Sequence, residues 1–160
     1  MEIGMTASAR RRGWRDMTLD QLLLERGVLD QDQLSEIQRV RAMEGGGWAG
    51  HFVDAGVLTE NELMSLAISE TGLPYIPLLQ VTTPSELIQE FSYDFLMGFE
   101  CFPVDSVGPC LTVVTPNPFQ PDLVRSREWR TRSISLFVGR MSEWRERMRR
   151  SQQETEEQSG

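Results

Sequence analysis

An α+β fold is predicted: an N-terminal helical subdomain of two helix–Gly–helix repeats, then a small α/β subdomain with about three strands. Three observations predict it. The stretches "LLLERGVLDQDQLSEI" (22–37) and "HFVDAGVLTENELMSL" (51–66) are near-duplicates, with Gly56 following Gly27 by 29 residues. Both carry apolar residues at helical spacing around a central glycine. After "TGLP" (71–74) the pattern changes to short β-branched runs alternating with polar helical segments, the grammar of strands and helices sharing one layer.

Each element follows from local chemistry. Thr18 opens the first helix, with Leu19, Leu22 and Leu23 on one face, and Gly27 ends it as a left-handed cap residue would. Asp30 with Gln33 forms a capping box for a second helix over 31–43, with Leu34, Ile37 and Val40 (or Arg41) on one face. "EGGGWAG" (44–50) is a joint. The second unit repeats the plan: Phe52 and Val53 lead to Gly56, and Thr59 with Glu62 makes another capping box. Leu63, Leu66, Ala67 and Ile68 form its stripe. One such unit cannot bury its apolar face alone, so the two are expected to pack together.

Beyond "YIPLL" (75–79), an extended run, "TPSELIQEF" (83–91) reads as a helix with Thr83 as cap and Pro84 at its first position. "CFPVDS" (101–106) and "CLTVVTP" (110–116) read as strands joined by a hairpin turn, "QPDLVRSREWRT" (120–131) as an amphipathic helix, "SISLFVGR" (133–140) as a strand and "SEWRERMRR" (142–150) as a last helix. The resulting division is a flexible basic arm at 1–13, helical repeats at 14–73, the α/β part at 74–150, and a disordered polar tail at 151–160.

Composition narrows function. All 16 basic residues are arginine, the net charge is −8, and His51 is the single histidine. Without lysine there is no P-loop and no side-chain Schiff base. One histidine leaves little for a catalytic triad or a histidine-based metal site. No convergent titratable groups suggest catalysis, so neither catalytic nor metal-binding residues are assigned and the chain is read as not an enzyme. No apolar run approaches the ~20 residues of a membrane span. Basic residues gather at the ends, Arg10, Arg11, Arg12 and Arg15 and then Arg140, Arg145, Arg147, Arg149 and Arg150, instead of forming a broad basic face, so no nucleic-acid partner is expected. The acidic second helices likewise argue against a helix-turn-helix DNA reader. Cys101 and Cys110 read as small buried side chains of a reducing, cytoplasmic protein.

The double unit, the exit "TGLPYIPL" (71–78) and the strand–strand–helix–strand–helix finish resemble the N-terminal domain of type II secretion and type IV pilus assembly ATPases, the GspE/PilB N-terminal family with its MshEN version. The likeness spans roughly residues 15–150, with Asn117-Pro118 where the family has Asp-Pro. It implies a regulatory, protein-interaction module that docks a secretion or pilus motor ATPase or an inner-membrane platform protein. It also implies a cytoplasmic place at the inner membrane through that partner, with no insertion of its own. Some members bind cyclic di-GMP, and no other cofactor is implied.

In those members each repeat begins Arg-Leu-Gly and closes with Gln one helix later. Anchored on Gly27, these positions fall on Thr18, Leu19, Asp20 and Arg41; anchored on Gly56, on Gly47, Trp48, Ala49 and Glu70. The packing half of the motif is kept and the polar half largely is not. Asp20 and Glu70 would repel phosphate. The reading favoured is therefore a protein-docking platform. The alternative is a cyclic di-GMP receptor of MshEN type with degenerate motifs, whose ligand would meet Arg15, Leu19, Leu23, Gly27, Arg41, Trp48, Phe52 and Gly56. Trp14 and Trp48 flank the repeat starts and are candidate partner contacts, with Trp48 equally readable as a lid on the helical core. His51 reads as a packing residue, and Trp129 and Trp144 as core residues.

Overall fold

The computed structural model describes residues 13–159. The arginines at 10–12 and most of the basic arm lie outside that range. After a 3-10 turn at Trp14–Asp16, four helices follow: α1 (Leu19–Glu25), α2 (Gln31–Glu44), α3 (Trp48–Asp54) and α4 (Glu60–Thr71). A 3-10 turn at Leu78–Gln80 leads to α5 (Ser85–Gln89), α6 (Tyr93–Phe99), β1 (Phe102–Val107), β2 (Cys110–Thr115), α7 (Pro121–Val124), a 3-10 turn at Arg127–Trp129, β3 (Ser133–Val138) and α8 (Met141–Ser159). The fold is α+β. Among the described residues no helix is long and apolar enough to cross a membrane.

The repeat is visible in its hydrogen bonds. At the end of α1, Gly27 N–H donates to Leu24 O and Val28 N–H to Leu23 O; at the end of α3, Gly56 N–H donates to Val53 O and Val57 N–H to Phe52 O. This paired closure needs a left-handed residue at its centre, and Gly27 (φ 73°) and Gly56 (φ 76°) supply it. Both expected capping boxes are formed. Asp30 Oδ1 accepts from Gln33 N at 2.8 Å, and Thr59 Oγ1 accepts from Glu62 N at 3.1 Å. On α4 the buried positions are Leu63, Ala67 and Glu70, not Ile68, which helical spacing from Leu63 turns outward.

The sheet has the order β1-β2-β3. β1 and β2 pair antiparallel, with an irregularity between Pro103 and Asp105, while β2 and β3 pair parallel in continuous register from Cys110↔Ser133 to Thr115↔Val138. The chain leaving α4 reaches this sheet too: Val138 N–H donates to Pro74 O, and Ile76 N–H donates to Val138 O, each at 2.9 Å. Buried residues from both halves, among them Leu22, Phe52, Leu63, Phe102, Val114, Trp129 and Trp144, form one continuous core.

Five local expectations are corrected. The amphipathic helix at 120–131 is two short pieces, because Ser126 is extended (ψ 137°) and caps the second by accepting from Glu128 N. α6 was not foreseen; its sequence is apolar nearly throughout and shows no helical period. Pro84 is the N-cap of α5, and Thr83 is buried instead of capping. Cys110 is exposed at the hairpin, whereas Cys101 is buried. The segment 151–159 continues α8 instead of forming a disordered tail. Its Gln and Glu residues are good helix formers, and Glu154 attracts Arg147 one turn pair back.

Candidate binding cleft

Three of the eight residues anticipated for a ligand come together. Leu19, Arg41 and Trp48 line one cleft of about 440 Å³, joined by Thr18 and Asp20 at the start of α1. The repeat starts reach the same place because α1 and α3 pack against each other. Arg41 lies at the end of α2, and its guanidinium stands 4.4 Å from the Trp48 ring centre and donates from Nε to Gly46 O at 3.0 Å. Trp48 is half-buried and stacks on fully buried Phe52, with ring centres 5.7 Å apart. It is both a lid on the helical core and a wall of the cleft.

The other five are elsewhere. Leu23 and Phe52 are core residues; Gly27 and Gly56 make the helix closures and line no cleft wall. Arg15 lies against its neighbour Trp14, 4.6 Å from that ring, and the pair borders a separate shallow hollow beside Ile134 and Leu136. Glu70, aligned with the closing Gln of the second repeat, is buried and ion-paired with Arg26 at the end of α1, so it braces the two repeats and does not face the cleft. His51 is half-buried, and its Nε2 sits 2.6 Å from Gly45 O, holding the glycine joint.

The opposite wall comes from the α/β half and was not legible in the repeats. α6 contributes Asp94, Phe95 and Phe99; the segment after β2 contributes Asn117, Phe119, Gln120 and Asp122. A buried polar corner fixes this wall. Thr115 Oγ1 accepts from Asn117 N at 3.0 Å, Asn117 Oδ1 accepts from Phe119 N at 3.0 Å, and Gln120 Nε2 donates to Phe99 O at 2.7 Å. The Asn-Pro step thus shapes the cleft floor through its own side chain.

The electrostatic balance is negative. Asp20, Asp94 and Asp122 line the cleft against one cation, Arg41, which is already engaged by Trp48 and Gly46. A phosphate diester there would meet more repulsion than attraction. The start of α3, where backbone amides point outward, is occupied by the chain itself. The Glu100 carboxylate accepts from Ala49 N at 2.9 Å and from Gly50 N at 2.6 Å. Burial raises the Glu100 carboxyl to about 7, against the lowering effect of those two amides, Arg145 and His51. Among the described residues no group of three His, Cys, Asp or Glu is placed to hold a metal ion.

This architecture has known counterparts. The MshEN domain family matches residues 71–158, more than half of the chain. The solved N-terminal domain of XpsE is similar at 24% identity and a TM-score of 0.57, covering 94% of this chain and 99% of that one. A second crystal form of it gives 0.58 over 94% and 98%. MshE solved with cyclic di-GMP is similar at 14% identity and a TM-score of 0.53, over 82% of this chain and 96% of that one. No curated protein matches. At these identities the solved structures speak for the fold, and the family match, beginning where the repeats end, speaks for ancestry: the chain belongs to the MshEN domain family.

Proposed function

We propose that this chain is a non-catalytic, regulatory docking module that uses the cleft between its helical repeats and its α/β half to hold a protein partner. The partner class is a secretion or pilus motor ATPase, or a platform protein of the inner membrane, with the module on the cytoplasmic side. One observation carries the reading: the cleft sets three carboxylates and an aromatic wall against one already engaged arginine. Such a surface suits a basic or amide side chain of a protein better than a dianionic nucleotide. Membership of the MshEN family supports the general role.

A receptor for cyclic di-GMP is the second reading. It is favoured by the Arg41–Trp48 stack and by Phe95 and Phe99, which offer flat faces to a guanine base.

Calorimetric titration of the purified chain with cyclic di-GMP, with GTP as control, separates the two. The docking reading expects no heat from either. It also expects saturable association with the purified motor ATPase or the soluble part of the platform protein, weakened when Asp94 and Asp122 are both changed to Asn. Micromolar heat from cyclic di-GMP that disappears in Trp48→Ala would overturn it in favour of the receptor.

A further inference from the structure

Glu100 ends α6 as its left-handed cap residue, with φ 51° and ψ 54°, a conformation uncommon for a residue with a Cβ. It is 2% exposed. Its side chain crosses the seam between the two halves to the amides of Ala49 and Gly50. Its carbonyl oxygen accepts from buried Thr115 Oγ1 at 2.9 Å. Two glycines make the room. A Cβ on Gly47 would collide with the carboxyl group, and one on Gly50 would stand 2.9 Å from Oε2 and 3.0 Å from Arg145 Nη2. Gly47 supplies no cap for α3; Glu100 does so from across the molecule.

The position of this contact gives it a consequence. Gly47 and Glu100 border one cavity, of about 280 Å³, while their chain neighbours Trp48 and Phe99 border the cleft described above. The contact therefore sets the spacing of the two cleft walls. We propose that Glu100 is a proton-linked latch across this seam: seated on Ala49 and Gly50 it holds Trp48 and Phe99 at their closed spacing, and withdrawn into water it lets the walls part.

The charges around the seat fix the direction. From α3, His51 faces the carboxyl and Asp54 lies further out; from α8, Arg145 faces it and Arg149 borders the same cavity; Tyr93 of α6 borders it as well. Arg145 is shared, donating to Asp54 Oδ2 at 3.0 Å and to Gly50 O at 3.4 Å. The adjoining Cys101 thiol is pushed up by burial and stays neutral. His51 and Arg145 favour the ionised carboxyl, and burial outweighs them. A latched Glu100 therefore holds its proton to higher pH than a solvated one. By linkage, opening becomes easier as pH rises from the ordinary carboxylate range towards neutrality, by up to about tenfold per pH unit, and then levels off.

The latch does not depend on what the cleft binds. Its test is amide hydrogen exchange of the intact chain by nuclear magnetic resonance between about pH 5 and about pH 8, with rates corrected for intrinsic exchange. Protection at Ala49 and Gly50 is expected to fall as pH rises to neutrality and then flatten, with the Trp48 indole N–H shift following the same midpoint. Glu100→Gln should remove the pH dependence, and His51→Gln should keep it. Protection at Ala49 and Gly50 that is unchanged across the range overturns the proposal. So does a dependence that survives Glu100→Gln or vanishes with His51→Gln. If Glu100→Gln does not fold, the native and His51→Gln profiles decide.

Discussion

The two repeats share one backbone plan and cap their first helices by different means. α1 is closed locally: Thr18 and Gln21 form a capping box, Gln21 Oε1 accepting from Thr18 N at 3.4 Å. α3 starts at a glycine, and its first amides are satisfied by Glu100 from the far side of the seam. The first repeat is therefore self-sufficient at its start, whereas the second is completed by the α/β half. The two repeats share their closures and buried stripes and differ at the helix starts. This difference ties the second repeat to the rest of the molecule.

Paired substitutions break or sharpen this comparison. The largest effect is expected in the core. Phe52→Ala removes a fully buried ring that also supports Trp48, and should cost about 3–5 kcal/mol in urea unfolding. Its counterpart Leu23→Ala should cost about 2–5 kcal/mol. A smaller loss at Phe52 than at Leu23 would contradict this ordering.

Next comes the pH dependence of unfolding. Glu100 is raised in the fold to about 7, so between the usual carboxylate range and neutrality the folded chain holds more protons than the unfolded one. Stability from this group is therefore greatest at the acid end, declines as pH rises towards 7 and levels above it. The difference between the native chain and Glu100→Gln across that window should be on the order of 1–3 kcal/mol. Parallel pH profiles for the two proteins would remove Glu100 as the cause.

A smaller asymmetry is expected near the helix starts. Gly47→Ala forces a Cβ into the Glu100 carboxyl and should cost about 1–3 kcal/mol, whereas Asp20→Ala, two positions beyond Thr18, the counterpart of Gly47, and half-buried at the cleft, should stay within about 0.5 kcal/mol. The smallest difference lies at the second helices, where the caps are equivalent. Asp30→Ala and Thr59→Ala should each cost about 1 kcal/mol by thermal or urea unfolding. A markedly unequal pair would mean that the repeats are not energetically alike even where they look alike.

What was legible from sequence was what is local. Gly27, Gly56, Asp30–Gln33 and Thr59–Glu62 act within a few residues, and each closes or opens a helix as its type requires. The strands were legible from β-branched runs. α6 was not, because Tyr93–Phe99 is apolar on nearly every face and shows no period. The single helix expected at 120–131 fails at Ser126, whose hydroxyl offers the backbone an alternative to continuing. The cleft was half legible. Leu19 and Trp48 stand at corresponding repeat positions and Arg41 at the close of the first repeat, whereas Phe95, Phe99 and Asn117 arrive through tertiary folding. Glu100 gave no local hint, since its partners lie about fifty positions earlier. A comparable separation in sequence hides the brace between Arg26 and Glu70, which turned an expected repulsive group into a buried ion pair.

The last helix adds a consequence in time. α8 and the residue before it fasten earlier parts of the chain at several points: Ser142 N donates to Glu60, Arg140 to Asn61, Arg145 to Asp54, and Trp144 Nε1 to Cys101 O at the start of the sheet. A ribosome delivers these residues after everything they fasten. The repeats emerge early, but their docking against the sheet waits for residues 140–145 to clear the exit. During synthesis the seam therefore stays unfastened until the last helix arrives, and helices as short as α1 and α3, seven residues each, depend on packing that is completed only then.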